Sequence, residues 1–134
     1  MADSPLVLDS WAVLAFLGGE PKGKDVLDLM ARANDGGVPL LMCVVNAGEV
    51  WYTVARKVSP DAADEDIDGL VRLGTQFVDV GWDLTKLAAG FKSRYRMSYA
   101  DAYAAALASQ RDAALVTGDP EFKPLARELR IKFL

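Results

Sequence analysis

Apolar and polar positions along the chain fall into blocks that switch between strand-like and helix-like spacing. Leu6-Val7-Leu8 is a short apolar run that predicts a first strand. Residues 10–17 predict a helix, stopped by Gly18-Gly19. Within residues 22–33 the apolar Val26, Leu27, Met30 and Ala33 sit at helical spacing, and Asn34-Asp35-Gly36-Gly37 closes that helix. Residues 40–45 are apolar throughout, as in a strand covered on both faces. Residues 46–57 predict a helix, and Ser59-Pro60 opens another. Its early acids Asp61, Asp64, Glu65 and Asp66 suit the positive end of a helix that starts on proline. Residues 76–80 predict a third strand, and 83–95 and 99–111 two further helices, the second rich in alanine. Residues 114–116 predict a fourth strand, a short helix follows Pro120, and residues 131–134 form a last edge strand.

Strands alternating with helices imply an α/β fold with a mostly parallel central sheet and helices on both faces. The 134 residues fit one domain, 1–134, with no internal repeat and no low-complexity tract. In such folds ligands bind beyond the carboxyl ends of the strands.

Composition narrows the chemistry. The chain has one cysteine, Cys43, set in an apolar run, which excludes an internal disulfide framework. It has no histidine, which removes the commonest general base and, with the lone thiol, any conventional zinc site. Proton chemistry would then fall to carboxylates, lysine or a metal-activated water. The opening Met1-Ala2-Asp3-Ser4-Pro5 lacks the basic start of a secretory signal, and no apolar run has the length of a membrane span. A cytoplasmic protein with no membrane partner is expected. Net charge is −4, yet it is uneven: residues 1–91 carry 7 basic and 14 acidic groups, residues 92–134 carry 8 and 5. Such asymmetry fits either a binding face or two unequal solvated surfaces.

Four acids occupy comparable places. Asp9 follows the first strand, Glu49 lies early in the helix after the second, Asp101 lies early in the alanine-rich helix, and Asp119 follows the fourth strand. Each has a local use. Asp9 can cap the helix beginning at Ser10, Asn46/Glu49 and Ser98/Asp101 have spacing like a capping box, and Asp119 precedes a proline as an N-cap does. Their contexts weigh against capping alone, because Glu49 lies in the apolar Val44-Val45-Asn46-Ala47-Gly48-Glu49-Val50-Trp51 and Asp101 precedes a run of alanines. Buried acids that converge repel one another unless a cation compensates. A hard divalent ion, Mg2+ or Mn2+, favours such an all-oxygen site, lowers the pKa of a water and offsets charge on a phosphoryl group. Asp9, Glu49, Asp101 and Asp119 are therefore expected to bind a metal, with Thr117 and Ser10 as neighbouring hydroxyls that orient a carboxylate or bond within local turns.

At these residues the sequence resembles the PIN-domain ribonucleases, specifically the VapC-type toxins. The matching pieces are Leu6-Val7-Leu8-Asp9-Ser10, Asn46-Ala47-Gly48-Glu49-Val50, Ser98-Tyr99-Ala100-Asp101-Ala102, and Leu115-Val116-Thr117-Gly118-Asp119-Pro120-Glu121-Phe122, in the family's order. The resemblance implies a three-layer α/β/α fold, Mg2+- or Mn2+-dependent endoribonuclease activity, a homodimer and neutralisation by a cognate antitoxin. It implies a metal site of Asp9, Glu49, Asp101 and Asp119, with Thr117 as the hydroxyl before the last acid and Glu121 where many relatives carry a further acid. It also implies cleavage products with 5′-phosphate and 3′-hydroxyl ends.

Lys92, Arg94 and Arg96 are candidate phosphate contacts, or solvated charges at a helix end. Trp11, Trp51 and Tyr52 are candidate base-stacking residues, or core and interface residues. Arg127, Arg130 and Lys132 form a basic stretch expected at the surface. Two other functions suit the same fold class. A Mg2+-dependent phosphoacceptor or phosphatase would also place an aspartate after the first strand, but here Ser10-Trp11 follows in place of a second carboxylate two positions on. A non-catalytic interaction domain would need only a partner groove.

Overall fold

Leu6–Leu8 (β1) is the strand about which the rest of the sheet is laid out. The computed structural model describes residues 4–134; Met1-Ala2-Asp3, part of the opening read above as lacking a signal, lie outside the described residues. Helix α1 (Ser10–Leu17) follows β1, then α2 (Pro21–Asp35), β2 (Leu40–Cys43), α3 (Val44–Lys57) and α4 (Pro60–Arg72). The chain continues through β3 (Thr75–Val78), α5 (Trp82–Arg94), α6 (Tyr99–Gln110) and β4 (Ala114–Thr117). A 3₁₀ helix (Pro120–Arg127) and β5 (Ile131–Phe133) complete it. Among the described residues no helix is long and apolar enough to cross a membrane.

The sheet is parallel throughout, in the order β3-β2-β1-β4-β5. Successive strand residues point to opposite faces, and both faces are covered. Val7, Leu41, Cys43 and Leu115 pack with Leu84, Phe91, Leu107 and Phe122 of α5, α6 and the 3₁₀ helix. Leu8, Leu40, Met42 and Val116 pack on the other side with Val13, Val26, Met30, Val50 and Leu70 of α1 to α4. This is the three-layer arrangement, and it explains why the strands read as unbroken apolar runs. Helix α6 is buried from Ala102 to Ala108. Its alanines let the backbone lie close to the sheet and to α5, so its first turn is held firmly at the sheet's carboxyl end.

Strands β2, β3 and β4 differ in their bounds from the sequence reading, and the first difference bears on the site. The apolar run 40–45 is strand only to Cys43; Val44 and Val45 are the first residues of α3. Hydrophobicity continues across the junction because the start of α3 is also covered, so the run alone carries no boundary signal. Asn46 therefore sits inside the helix, and the cap-like pairing of Asn46 with Glu49 is corrected: the residue before α3 is Cys43, with no side-chain cap. Strand β4 extends one residue further than expected, to Thr117, and β3 is shifted to Thr75–Val78.

Helix α2 crosses α1 closely at Gly23, where an added Cβ would lie 2.4 Å from the Ala15 carbonyl oxygen and 2.8 Å from Phe16 Cα. Backbone atoms cannot swing aside, so Gly23→Ala should destabilise by about 1–3 kcal/mol despite the usual helical preference for alanine. Gly69 in α4 meets only the flexible Arg72 guanidinium, at 3.7 Å. Gly69→Ala should stabilise by roughly 0.5–1 kcal/mol. Urea denaturation of both variants checks the contrast; equal effects would contradict the close α1–α2 crossing.

Candidate metal centre

The strand order reverses between β1 and β4: β2 and β3 lie to one side of β1, β4 and β5 to the other. Asp9 leaves β1 and Asp119 leaves β4 at this switch point, where parallel sheets open a crevice for ligands. The pairing of Leu8 with Val116 sets Asp9 beside Thr117, and the Asp9 N–H donates to the Val116 carbonyl at 3.4 Å.

Asp9 is 1% exposed, and both its oxygens are engaged. Oδ1 accepts from the Ala12 N–H at 2.8 Å, capping α1, and Oδ2 accepts from the Thr117 hydroxyl at 2.5 Å. Thr117 Oγ1 in turn accepts from the Asp119 N–H at 3.1 Å. One buried hydroxyl thus ties the two loops that carry Asp9 and Asp119. Asp119 Oδ1 accepts from the Glu121 N–H at 2.9 Å and caps the 3₁₀ helix. The Ser98 hydroxyl accepts from the Asp101 N–H at 3.1 Å and caps α6. The capping roles of Asp9 and Asp119 are real; the Asp119 cap uses one oxygen and leaves the other for a second task, whereas Asp9 has both oxygens in hydrogen bonds.

Asp101, Asp119 and Glu121 come together with one carboxylate oxygen from each within 4.8 Å of the others. Glu121 thereby stands among the acids, at the position where the family resemblance implies a further acid. Glu49 is half-buried on α3, and its charge, with those of Asp119 and Glu121, acts on Asp101. Asp9 feels Asp101 and Asp119. Asp101, Asp119 and Glu121 therefore meet directly, while Asp9 and Glu49 lie outside that oxygen cluster but near enough for charge to act between them and its members.

Among the described residues no lysine or arginine forms an ion pair with these acids. The ion pairs among the described residues are Arg94–Glu128 at 3.2 Å and Arg130–Asp112 at 3.3 Å, both at the surface away from this region. Burial accordingly pushes the Asp9 carboxyl up to about 7, against the Thr117 and Ala12 hydrogen bonds that lower it and with the Asp101 and Asp119 charges that raise it. Burial likewise raises Asp101 to about 6, opposed by the Ser98 hydroxyl and reinforced by Asp119, Glu49 and Glu121. An all-oxygen set lacking an internal counter-charge has the donor chemistry that Mg2+ or Mn2+ takes, and thiol or imidazole metals are not served here.

The other candidates fall elsewhere. Ser10 is buried, its hydroxyl donating to the Asn46 carbonyl at 3.4 Å. Lys92 Nζ donates to the Met97 carbonyl at 2.8 Å, Arg94 pairs with Glu128, and Arg96 is exposed. Trp11 packs its ring against Gly118, where an added Cβ would come 2.1 Å from it, so it braces the turn between Thr117 and Asp119. Trp51 and Tyr52 are exposed; Trp51 donates to Asp64 at 2.8 Å, and Tyr52 lies under the Arg56 guanidinium. Arg127, Arg130 and Lys132 are exposed, with Arg130 bonded to Asp112.

The PIN domain family profile matches residues 6–128. Solved structures share the fold. VapBC2 of Rickettsia felis, bound to a DNA fragment from its promoter, superposes with TM-score 0.73 at 16% identity, over 96% of this chain and 98% of that one. DNA-bound VapBC of Salmonella typhimurium gives 0.74 at 13%, over 98% of both chains. The Mycobacterium tuberculosis toxin VapC20, described as cleaving the sarcin-ricin loop, gives 0.67 at 20%, over 92% and 95%. No curated protein sequence matches the chain significantly.

The raised carboxyls fix the sign of a pH effect. Folded-state values above the ordinary 3.8 mean that the folded state holds protons more tightly than the unfolded state. In metal-free protein their contribution is then full below about pH 4 and is lost as pH rises through about 6 for Asp101 and about 7 for Asp9. The stability difference between wild type and Asp9→Asn in EDTA isolates Asp9: wild type should lose ground to the variant across that window. A difference that is flat, or that moves the other way, would contradict the burial of an uncompensated Asp9.

Proposed function

The chain belongs to the PIN-domain family, and from that premise we propose that it is a metal-dependent endoribonuclease, the VapC-type toxin of a toxin–antitoxin pair. The observation that carries the proposal is the convergence of acids at the switch point, with no ion pair to a basic side chain among the described residues. Asp9, Glu49, Asp101 and Asp119 are assigned to hold Mg2+ or Mn2+, and residues 1–134 to act as one such domain. The cation, when bound, supplies Lewis-acid activation of water and offsets charge on the phosphoryl group.

The chain's own residues set the geometry for that task. Asp101 and Asp119 present oxygens from the first turn of α6 and from the turn after β4, and their caps at Ser98 and Glu121 fix both backbones. Thr117 fixes the distance between the Asp9 and Asp119 loops. Acids in this number repel an RNA phosphate, so binding of substrate depends on neutralising them first. Asp9 fits a phosphoacceptor poorly: a nucleophile must reach a phosphorus atom, and this carboxylate is covered with both oxygens occupied.

RNA is the proposed substrate, with Arg96 at the surface as a phosphate contact and Lys92, Arg94 and Ser10 already engaged within the protein. A cognate antitoxin and a second copy are the proposed partners. The VapBC complexes that share the fold support the first. A cytoplasmic location is part of the same proposal.

Purified protein should cut RNA at discrete places in Mg2+ or Mn2+ and not in EDTA. Asp101→Asn should lower the rate at least ~100-fold by removing preorganised charge from the site. The new ends should carry 5′-phosphate and 3′-hydroxyl groups. A 2′,3′-cyclic phosphate would assign attack to the RNA's own 2′-hydroxyl, and cleavage undiminished in Asp101→Asn would remove this cluster from the chemistry.

A further inference from the structure

Asn46 is fully buried in the interior of α3, one turn before Glu49. It caps nothing. Its side-chain nitrogen donates to the Ala100 carbonyl at 2.9 Å and lies 3.4 Å from the Ser10 hydroxyl, while its Oδ1 has no partner. Ser10 also donates to the Asn46 carbonyl. Asparagine is a poor residue for a helix interior, and an orphaned buried oxygen adds to its cost. For α3 alone, an apolar side chain of this size would serve better.

The partners explain the placement. Ser10 adjoins Asp9, Ala100 adjoins Asp101, and Asn46 is on the helix that carries Glu49. One amide therefore links the three elements α1, α3 and α6, each at the residue beside or one turn from an acid of the cluster. The Thr117 hydroxyl joins the remaining pair, Asp9 and Asp119. Between them, two buried polar groups span every element that bears an acid. The Ala100 carbonyl is otherwise at the first turn of α6, and the amide pulls that turn toward α3 and α1 against the repulsion between their carboxylates.

The geometry points to Asn46 as a positioning residue that sets the backbones carrying Asp9, Glu49 and Asp101 relative to one another around the proposed cation site. This rests on the metal-dependent reading above. Asn46 touches neither cation nor substrate; it acts through the backbones that carry the acids, as hydrogen bonds behind metal ligands generally do.

The test uses the full chain with Mn2+ as the probe, its free fraction read by electron paramagnetic resonance, and melting in EDTA read separately. Asn46→Leu keeps the branched shape and removes the orphaned oxygen; Asn46→Ala removes the contact outright. Asn46→Leu should melt within a few degrees of wild type, yet both variants should bind Mn2+ about 10–100-fold more weakly. Asp101→Asn serves as the control that binding occurs at the cluster. Wild-type affinity in Asn46→Leu overturns the inference and leaves the metal reading intact. So does failure of both variants to fold, since the amide would then serve stability and not placement. No saturable Mn2+ binding by wild type overturns the metal reading and this inference together.

Discussion

Carboxylates gathered in a poorly solvated space are held apart by their own charge unless something compensates. Asp101, Asp119 and Glu121 meet at the carboxyl end of a parallel sheet with Asp9 and Glu49 near them, and among the described residues no arginine or lysine forms an ion pair with any of the five. The fold tolerates this through hydrogen bonds that set where these acids sit: Thr117 between Asp9 and Asp119, Ser98 at the Asp101 N–H, and Asn46 across α1, α3 and α6. What remains unbalanced is charge, and a hard dication matches it in sign and donor type. In the free protein burial, reinforced by the neighbouring acids, lifts Asp9 and Asp101 toward neutrality. Stability and function are therefore opposed at this site: the arrangement that strains the free protein is the one prepared for a metal.

Much of the fold was legible in the sequence because the signals were local. Proline at the first helical position, Ser59 and Ser98 as caps, and the Gly36-Gly37 stop each act within a few residues. Alternating strand and helix blocks were enough for the parallel α/β arrangement, which the β3-β2-β1-β4-β5 sheet and its two covered faces bear out. The boundary between β2 and α3 was not legible, because Val44 and Val45 are as apolar as the strand before them. That error concealed Asn46, which looked like a cap and is an internal tie. Its partners Ser10 and Ala100 are 36 and 54 residues away, so no local pattern reports them.

The acids were visible as residues following strands or opening helices, since in a parallel sheet those positions share one edge. Their division of labour was not visible. Asp9, first in the chain, is the most buried and is tied at both oxygens, whereas Asp101, Asp119 and Glu121 bring their oxygens within reach of one another. Side-chain direction in a turn decides this, and sequence spacing does not encode it. The basic residues Lys92 and Arg94 looked available by charge alone, but one binds the Met97 carbonyl and the other pairs with Glu128.

The central claim is that these acids are the binding site of a divalent cation. Crystals grown with Mn2+ and measured near its absorption edge locate the ion without reference to activity. The expected result is an anomalous peak among Asp101, Asp119 and Glu121, coordinated only by oxygen, on the side that Asp9 and Glu49 face. A fully substituted crystal with no peak in that crevice, or with its manganese bound solely at another surface, would contradict it.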